Sequence, residues 1–570
     1  MPFCLTKSLT TEFLKRVKSG EVDPEKLSNM TSQERRTFFT TFLGDENARH
    51  INALFESKLL LKNQQQGIIT WAKKIGGLKP QAQRDILSRV ERMTEILQPK
   101  EMDAFLEDLA SQRLGVSVSL DEAGKIAELS KTITDKKSII PENSPIRSPE
   151  RMEYGTALAL FKQYVGGLKA QAKQLTPKEL LSNPIQLLQE IGGATKSIAS
   201  AFDNSFFGRQ GLLTLITKPN IWGNNFIKSW GDMKKELKGI DAMIPIQADV
   251  FSRPNAMNGK YKALKLDIGL ESEEAFPSSW PEKIPFFGKI FKASESAYNG
   301  AALRFRADLA DRLIPEIEAS GTDLKSSGLG ILINSMTGRG RVELTPGQSK
   351  FINTTIYSIK WLKSNLDVLT AHQFDPNVSP VVKKKAAENL GRMVLTIGSL
   401  LGVAKMIDPE SVEEDPRSFN FGKIMVGPNH EFKISVLPGF GALITLASRV
   451  VPTLHNGELG FWYKTTKGKY FKLSTGKFGS KTPTDMIVDF MEGKAAPVAR
   501  TLLTVWEGRT FEGEEPTLTG EARKLATPIP IENLFEIAQF STGANPILVA
   551  ILSGLELIGF NVGTPTKRRK

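Results

Sequence analysis

The sequence predicts a mainly α-helical, multi-helix, elongated protein with a small antiparallel β-hairpin subdomain near residues 415–483. Three observations carry that expectation. Apolar residues recur at three- and four-residue steps, as in Ala48, Ile51, Phe55 and Leu59, and again in Ala302, Phe305, Leu309 and Leu313. Helix-start punctuation is frequent. Thr31-Ser32-Gln33-Glu34, Thr176-Pro177-Lys178-Glu179 and Thr345-Pro346-Gly347-Gln348 each place a hydroxyl and a Glu or Gln where both can satisfy orphan backbone N–H groups. Only the stretch Asp415–Pro483 reads as strands between Gly/Pro/Asn turns.

Residues 1–135 read as a polar helical region. Asp23-Pro24 is a cap followed by proline at the first helical position, and one long helical pattern runs from Asp45 to Ile75. Further helices are expected at Pro80–Gln98, Pro99–Leu114 and Leu120–Thr134. Residues 136–149 read as a poorly packed linker, with Pro141, Pro145 and Pro149 among serines and charges. Residues 150–380 form a second helical region. Within it Phe202, Phe206, Phe207, Trp222, Phe226 and Trp230 alternate with Arg209, Lys218, Lys228, Lys234 and Lys235. Such a mixture can stack bases and hold phosphates. It is more simply a core whose lysines reach out to water.

Two finer patterns lie in that region. Arg304, Asp308 and Arg312 sit four apart, which suits an exposed ion-pair ladder. Ile352, Ile356, Ile359, Leu362, Leu366 and Leu369 suit one buried helix face. Residues 381–570 hold helices flanking the two hairpins. The uncharged run Met393–Ala404 reads as a core helix, because twelve helical residues span roughly 18 Å and a bilayer core needs about 30 Å. Ile547–Phe560 is a short greasy helix ahead of Lys567-Arg568-Arg569-Lys570; a docked helix with a basic tail and transient membrane contact are both open.

Composition limits the function. The 570 residues exceed one ordinary core, so two to four domains or subassemblies are expected. An apolar fraction of 40% and a mean hydropathy of -0.20 suit a soluble, mostly ordered chain. A net charge of +13 favours acidic partners: nucleic acid, a phosphate-rich surface or anionic lipid. The single cysteine, Cys4, excludes an intramolecular disulfide and cysteine-based zinc sites. The first residues lack the apolar core of a secretory signal. No phosphate loop, HExxH or GxSxG motif occurs, and the four histidines are dispersed. Glu413-Glu414-Asp415 and Glu512, Glu514 and Glu515 are carboxylate clusters of the kind usually solvated in charged loops. Gly338-Arg339-Gly340-Arg341 is a basic glycine turn, expected as a loop between helices. We therefore expect no catalytic residues, no metal site, no cofactor and no enzymatic activity.

The hairpins are placed by their turns. Gly422–Val426 and Glu431–Val436 flank Gly427-Pro428-Asn429-His430, and Phe461–Thr465 and Lys469–Leu473 flank a tip at Lys467-Gly468. In the second hairpin alternation puts Trp462 and Lys464 on one face of their strand, and Tyr470 and Lys472 on one face of theirs. Phe461, Tyr463, Thr465, Lys469, Phe471 and Leu473 take the opposite faces, one of which should pack on the flanking helices. Trp462, Lys464, Lys467, Lys469, Tyr470, Lys472 and Lys477 are thus the candidate nucleic-acid-binding set. The competing reading is a lysine-guarded edge that discourages sheet-to-sheet aggregation.

The order of segments in the last two-thirds resembles the C-terminal region of phage polyvalent proteins, the large polyvalent protein-associated family. The residues that carry this are Phe202–Thr217 (FDNSFFGRQGLLTLIT), Lys283–Arg306 (KIPFFGKIFKASESAYNGAALRFR) and Thr337-Gly338-Arg339-Gly340. They continue in Asp415–Ile424 (DPRSFNFGKI), Thr475–Pro483 (TGKFGSKTP) and Ala496-Pro497. Ala53–Trp71 is similar to a helix of phage structural proteins. In that family the region often ends long chains that bear enzyme domains, and this chain departs from the pattern because no such domain is read in it. The resemblance therefore implies an origin and a setting, the virion or the host cytoplasm with delivery alongside the DNA, and not a reaction; the absent active-site motifs and the net positive charge make the expected protein non-enzymatic and virion-associated. Other phage structural proteins and DNA are the partners it implies. Two alternatives stay open: a nucleic-acid-binding accessory protein acting in the host cell, and a membrane-active ejection protein.

Overall fold

The computed structural model describes residues 30–43, 116–173, 206–268, 287–342, 356–465, 468–474, 481–507, 527–540 and 545–564, with isolated positions between them. The expected helices at 45–75, 80–98 and 99–114, the Asp23-Pro24 start and the boxes at Thr176 and Thr345 lie outside those residues. The fold is mainly α with small antiparallel sheets of two or three strands. Two compact units are present. One comprises Met1–Ser138 with Tyr164–Lys173, the other Ile139–Gln163 with Gln174–Lys570.

In the smaller unit, α1 (Ser32–Leu43) starts at the expected box: Glu34 accepts from the Thr31 N–H at 2.8 Å, and the Thr31 hydroxyl accepts from the Glu34 N–H at 3.3 Å. Ser119 and Glu122 make a second box at the start of α2 (Leu120–Ser138). Residues 139–147, which belong to the larger unit, run through turns and are half-buried or exposed. Helix α3 (Pro149–Lys173) follows.

The larger unit is built around α7. Before it come α4 (Leu212–Thr217), α5 (Pro219–Leu237) and α6 (Met243–Phe251); α7 itself is the 33-residue helix Phe287–Ala319. Alanines at 293, 297, 301, 302, 307 and 310 let neighbouring helices approach it closely, and all are buried. Ala302, Phe305, Leu309 and Leu313 form the apolar face read from the sequence. Phe206 and Phe207 are fully buried, meet Phe305 edge-on, and Trp222 stacks on Phe226 at 5.0 Å. The Trp222 indole N–H donates to the Phe207 carbonyl at 3.1 Å. These rings are core; Phe202 lies outside the described residues.

The exposed ladder expected of Arg304, Asp308 and Arg312 does not form. Arg304 is buried and points across to α5, 2.5 Å from Asp232 and 3.1 Å from the Asn225 amide oxygen. Asp308 accepts from Arg253 and from Asn225, and only Arg312 is exposed. Partners on other helices outcompete the i,i+4 geometry because the α5–α7 contact excludes water.

Helix α8 (Leu329–Met336) precedes α9 (Ile359–Leu366). The isoleucine stripe expected over Ile352–Leu369 is not one buried helix face. Ser358 adopts φ 55°, which interrupts the helix, a π-helical turn spans Asp367–Ala371, and Leu366 is exposed. Helix α10 (Pro380–Ile407) leads into the β region.

There β1 (Lys423–Val426) and β2 (Phe432–Ser435) pair as expected. After α11 (Phe440–Val450), β3 (Thr453–His455) pairs with β4 (Glu458–Gly460), a hairpin the sequence reading missed. Its turn is Asn456-Gly457, both at positive φ, the pair favoured in two-residue hairpin turns. Next, β5 (Trp462–Lys464) pairs with β6 (Tyr470–Lys472). Helices α12 (Pro483–Glu492), α13 (Pro497–Glu507), α14 (Ile529–Phe540) and α15 (Pro546–Leu557) follow. The last strand, β7 (Val562–Gly563), adds to β2 and closes a small core of Phe432, Ile537, Leu552 and Val562.

Candidate functional site

The β5–β6 register sets Trp462 opposite Lys472 and Lys464 opposite Tyr470. Each aromatic therefore meets the lysine of the other strand, not the one two residues along its own. Lys472 Nζ lies 5.8 Å from the Trp462 ring centre and Lys464 Nζ 5.5 Å from that of Tyr470.

That face is partly covered, and both of its lysines are paired. His455 of β3 stacks on Tyr470 at 4.0 Å and lies 4.9 Å from Trp462. Lys464 pairs with Glu413 at 2.7 Å, and Lys472 pairs with Glu458. The Tyr470 hydroxyl donates to Asp415 at 2.6 Å, and the Arg417 guanidinium donates to both Asp415 oxygens. Burial alone would raise the Asp415 pKa, yet hydrogen bonds from Arg417 and Tyr470 hold it well below the usual carboxylate range. The bond to Asp415, with burial second, pushes the Tyr470 phenol up.

Glu413 and Asp415 are thus partnered and part-buried, contrary to the solvated cluster expected of them; only Glu414 of the three is exposed. Of the described candidate lysines, Lys469 alone has no ion pair. Lys467 and Lys477 lie outside the described residues. A nucleic-acid backbone docking here would have to displace Glu413 and Glu458 from their lysines. The two lysines of this face are charge-balanced, and the Lys472–Glu458 pair remains open to solvent.

The opposite face of this hairpin is only partly covered. Tyr463 and Phe471 stack at 5.6 Å and Leu473 is buried, but Phe471 stays exposed. The residues the sequence reading missed are Glu413, Asp415, Arg417, His455 and Glu458. Recognition of Asn456-Gly457 as a hairpin turn would have brought in His455 and Glu458.

The second feature is α10. Val382, Ala386, Asn389, Met393 and Ile397 are its buried stripe, recurring at three and four residues. The run Met393–Ala404 is not the core helix expected of it. Within it Leu395 is 71% exposed, with Val394, Leu400 and Val403 also in contact with solvent, and just beyond it Met406 is 85% and Ile407 81% exposed. The run also belongs to a helix of 28 residues rather than twelve. Among the described residues this is the one helix whose length and apolarity suffice to cross a membrane. Other apolar side chains are exposed on the later helices, Trp506 of α13 at 89% and Ile547 and Ile551 of α15 among them. No group of acidic, histidine or cysteine side chains suited to a metal ion occurs among the described residues.

The fold and these surfaces describe a mainly helical protein with a hairpin subdomain and apolar side chains exposed on several C-terminal helices. Comparison with family models, curated proteins and solved structures finds no match to this chain.

Proposed function

We propose that the chain is a non-enzymatic phage-type protein, carried in the virion and delivered with the DNA, which acts at a membrane during delivery. The observation that supports this reading is the exposed apolar half of α10. Large contiguous apolar surface is costly in water and marks contact with a membrane or a partner. Each fully buried Leu, Val, Ile or Met side chain contributes about 1.5–3 kcal/mol, so insertion of the six named here is worth on the order of 10 kcal/mol.

Charge placement favours lipid as the occupant. Arg392 and Lys405 are the only charges between Leu390 and Ile407, and Lys383-Lys384-Lys385 precede them on the same helix; Lys405 pairs with Glu414 and Lys385 with Glu316, so Arg392, Lys383 and Lys384 are the ones offered to lipid. Basic side chains beside an apolar segment reach toward anionic headgroups, at about 1 kcal/mol each. Flotation with liposomes tests the reading. The full chain should float with vesicles containing anionic lipid and less with neutral ones. Failure to float with either removes the membrane role. Mass spectrometry of purified virions tests the setting, and absence from the particle removes it.

A further inference from the structure

We propose that Lys423 and Lys433, neighbours on the outer face of the β1–β2–β7 sheet, bind one phosphate group, carried by a lipid headgroup or free in solution. The register fixes their placement. Val426, Phe432 and Ile434 face the small core that Val562 closes. Alternation then puts Lys423, Met425, Lys433 and Ser435 on the opposite face. Lys423 lies across from Ser435 and Lys433 across from Met425, so the two lysines are diagonal neighbours with Cβ atoms within about 8 Å of each other. Gly563, the partner of Lys433 on β7, adds no side chain to this face.

Neither lysine is paired with a carboxylate among the described residues. Lys464 and Lys472 of the hairpin β5–β6 both meet glutamates, whereas Lys423 lies 4.0 Å from the centre of the Phe419 ring and Lys433 donates to the Asn420 amide oxygen at 3.2 Å. Both residues are half-buried. Burial, with the charge of Lys433 second, lowers the Lys423 pKa to about 8, and burial lowers that of Lys433. Two like charges held close together and partly out of water disfavour each other, and an anion between them relieves both penalties.

The donors select the anion. Two ammoniums are point charges with rotatable donors, and neither supplies the planar fork by which a guanidinium matches a carboxylate. The Ser435 hydroxyl, opposite Lys423, and the amide nitrogen of Asn420, whose oxygen holds Lys433, have no protein partner among the described residues and add neutral donors. Such a set suits a tetrahedral anion with several acceptor oxygens. Phe419 is 63% exposed, so an apolar ring flanks the cations. A lipid would meet both at once, its phosphate on the lysines and its chains against the ring.

The test uses the full chain and reads the two amines directly. Trace acylation with acetic anhydride near neutral pH, followed by peptide mass spectrometry, gives the reactivity of Lys423 and Lys433. A bound anion holds the protons on both amines and slows the reaction. We expect inorganic phosphate to slow both about tenfold, as a pKa returning toward the ordinary lysine value requires. Chloride at the same ionic strength should leave them unchanged, and so should phosphate leave Lys234 and Lys235, exposed on α5. Vesicles containing phosphatidic acid should protect the pair, and vesicles of neutral lipid should not. Protection by those vesicles without protection by phosphate assigns a lipid headgroup; the reverse assigns a free phosphate, and that arm is independent of the membrane role of α10. In Lys433→Met, with its fold checked by circular dichroism, the protection of Lys423 should be lost. No protection of wild type by any probe, protection by chloride equal to that by phosphate, or full protection of Lys423 in the folded variant overturns the proposal.

Discussion

Lys162 lies 3.6 Å from the centre of the Phe251 ring, and burial lowers its pKa to about 8. The consequence for stability has a definite sign. Between pH 8 and about 10.5 the unfolded chain holds a proton on this lysine that the folded chain has released, so stability rises with pH across that window. Lys162→Met should remove that rise and stabilise the fold at pH 7, by on the order of 1–3 kcal/mol. Urea unfolding at pH 7 and pH 10 measures both effects; an unchanged pH dependence would contradict this reading. Asp415 also makes stability rise with pH, but in the acid range and as a favourable contribution gained rather than a penalty relieved. Its pKa is depressed in the fold, so its contribution is present above the ordinary aspartate value and is lost as pH falls below it. Asp415→Asn keeps the shape but weakens the bonds from Arg417 and Tyr470. It should cost about 1–3 kcal/mol near neutral pH, and Tyr470 should become easier to ionise, which a spectrophotometric tyrosine titration detects.

At the scale of elements, the α5–α7 contact depends on its buried charges. Arg304 meets Asp232 and Asn225, Asn225 donates to Asp308, and Arg253 meets Asp249, Asp308 and Asp311. Removal of one member leaves an uncompensated charge in a place without water. Asp232→Ala should therefore cost about 3–5 kcal/mol, whereas a joint Asp232→Leu, Arg304→Met replacement should cost much less. Chemical denaturation of the single and double variants separates the two, and equal losses would show that the pair holds no such penalty. Hairpin legibility also belongs to this scale. The β5–β6 pairing could be read from alternation and a Lys-Gly tip, because both are local. The partners of its lysines could not, since Glu413 lies 51 residues before Lys464, with β1, β2 and α11 between them, and Glu458 belongs to the missed hairpin.

For the whole molecule, the distribution of apolar surface is the feature with functional weight. Leu395→Glu with Val403→Glu places two carboxylates on the exposed part of α10, away from its buried stripe. The fold should be retained, with ΔG within about 0.5 kcal/mol of wild type per exposed site. Flotation with anionic vesicles should fall at least tenfold. Undiminished flotation would move the contact to α13 or α15, whose Trp506 and Ile547 are equally open to solvent.

Residue order alone determined the helical class, the box at Thr31, the apolar face of α7 and both expected hairpins. Each of these rests on periodicity or on turn chemistry within a few residues, and such signals survive without knowledge of neighbours. Tertiary structure alone decided which apolar stripes are covered and which charges are paired. The stripe on α7 and the run in α10 are both apolar, yet the first is buried in the core while nothing among the described residues covers much of the second. Arg304 reads as a surface residue until α5 presents Asp232 to it. Burial and convergence are properties of pairs of distant segments, and hydrophobic periodicity in one segment carries no record of its partner.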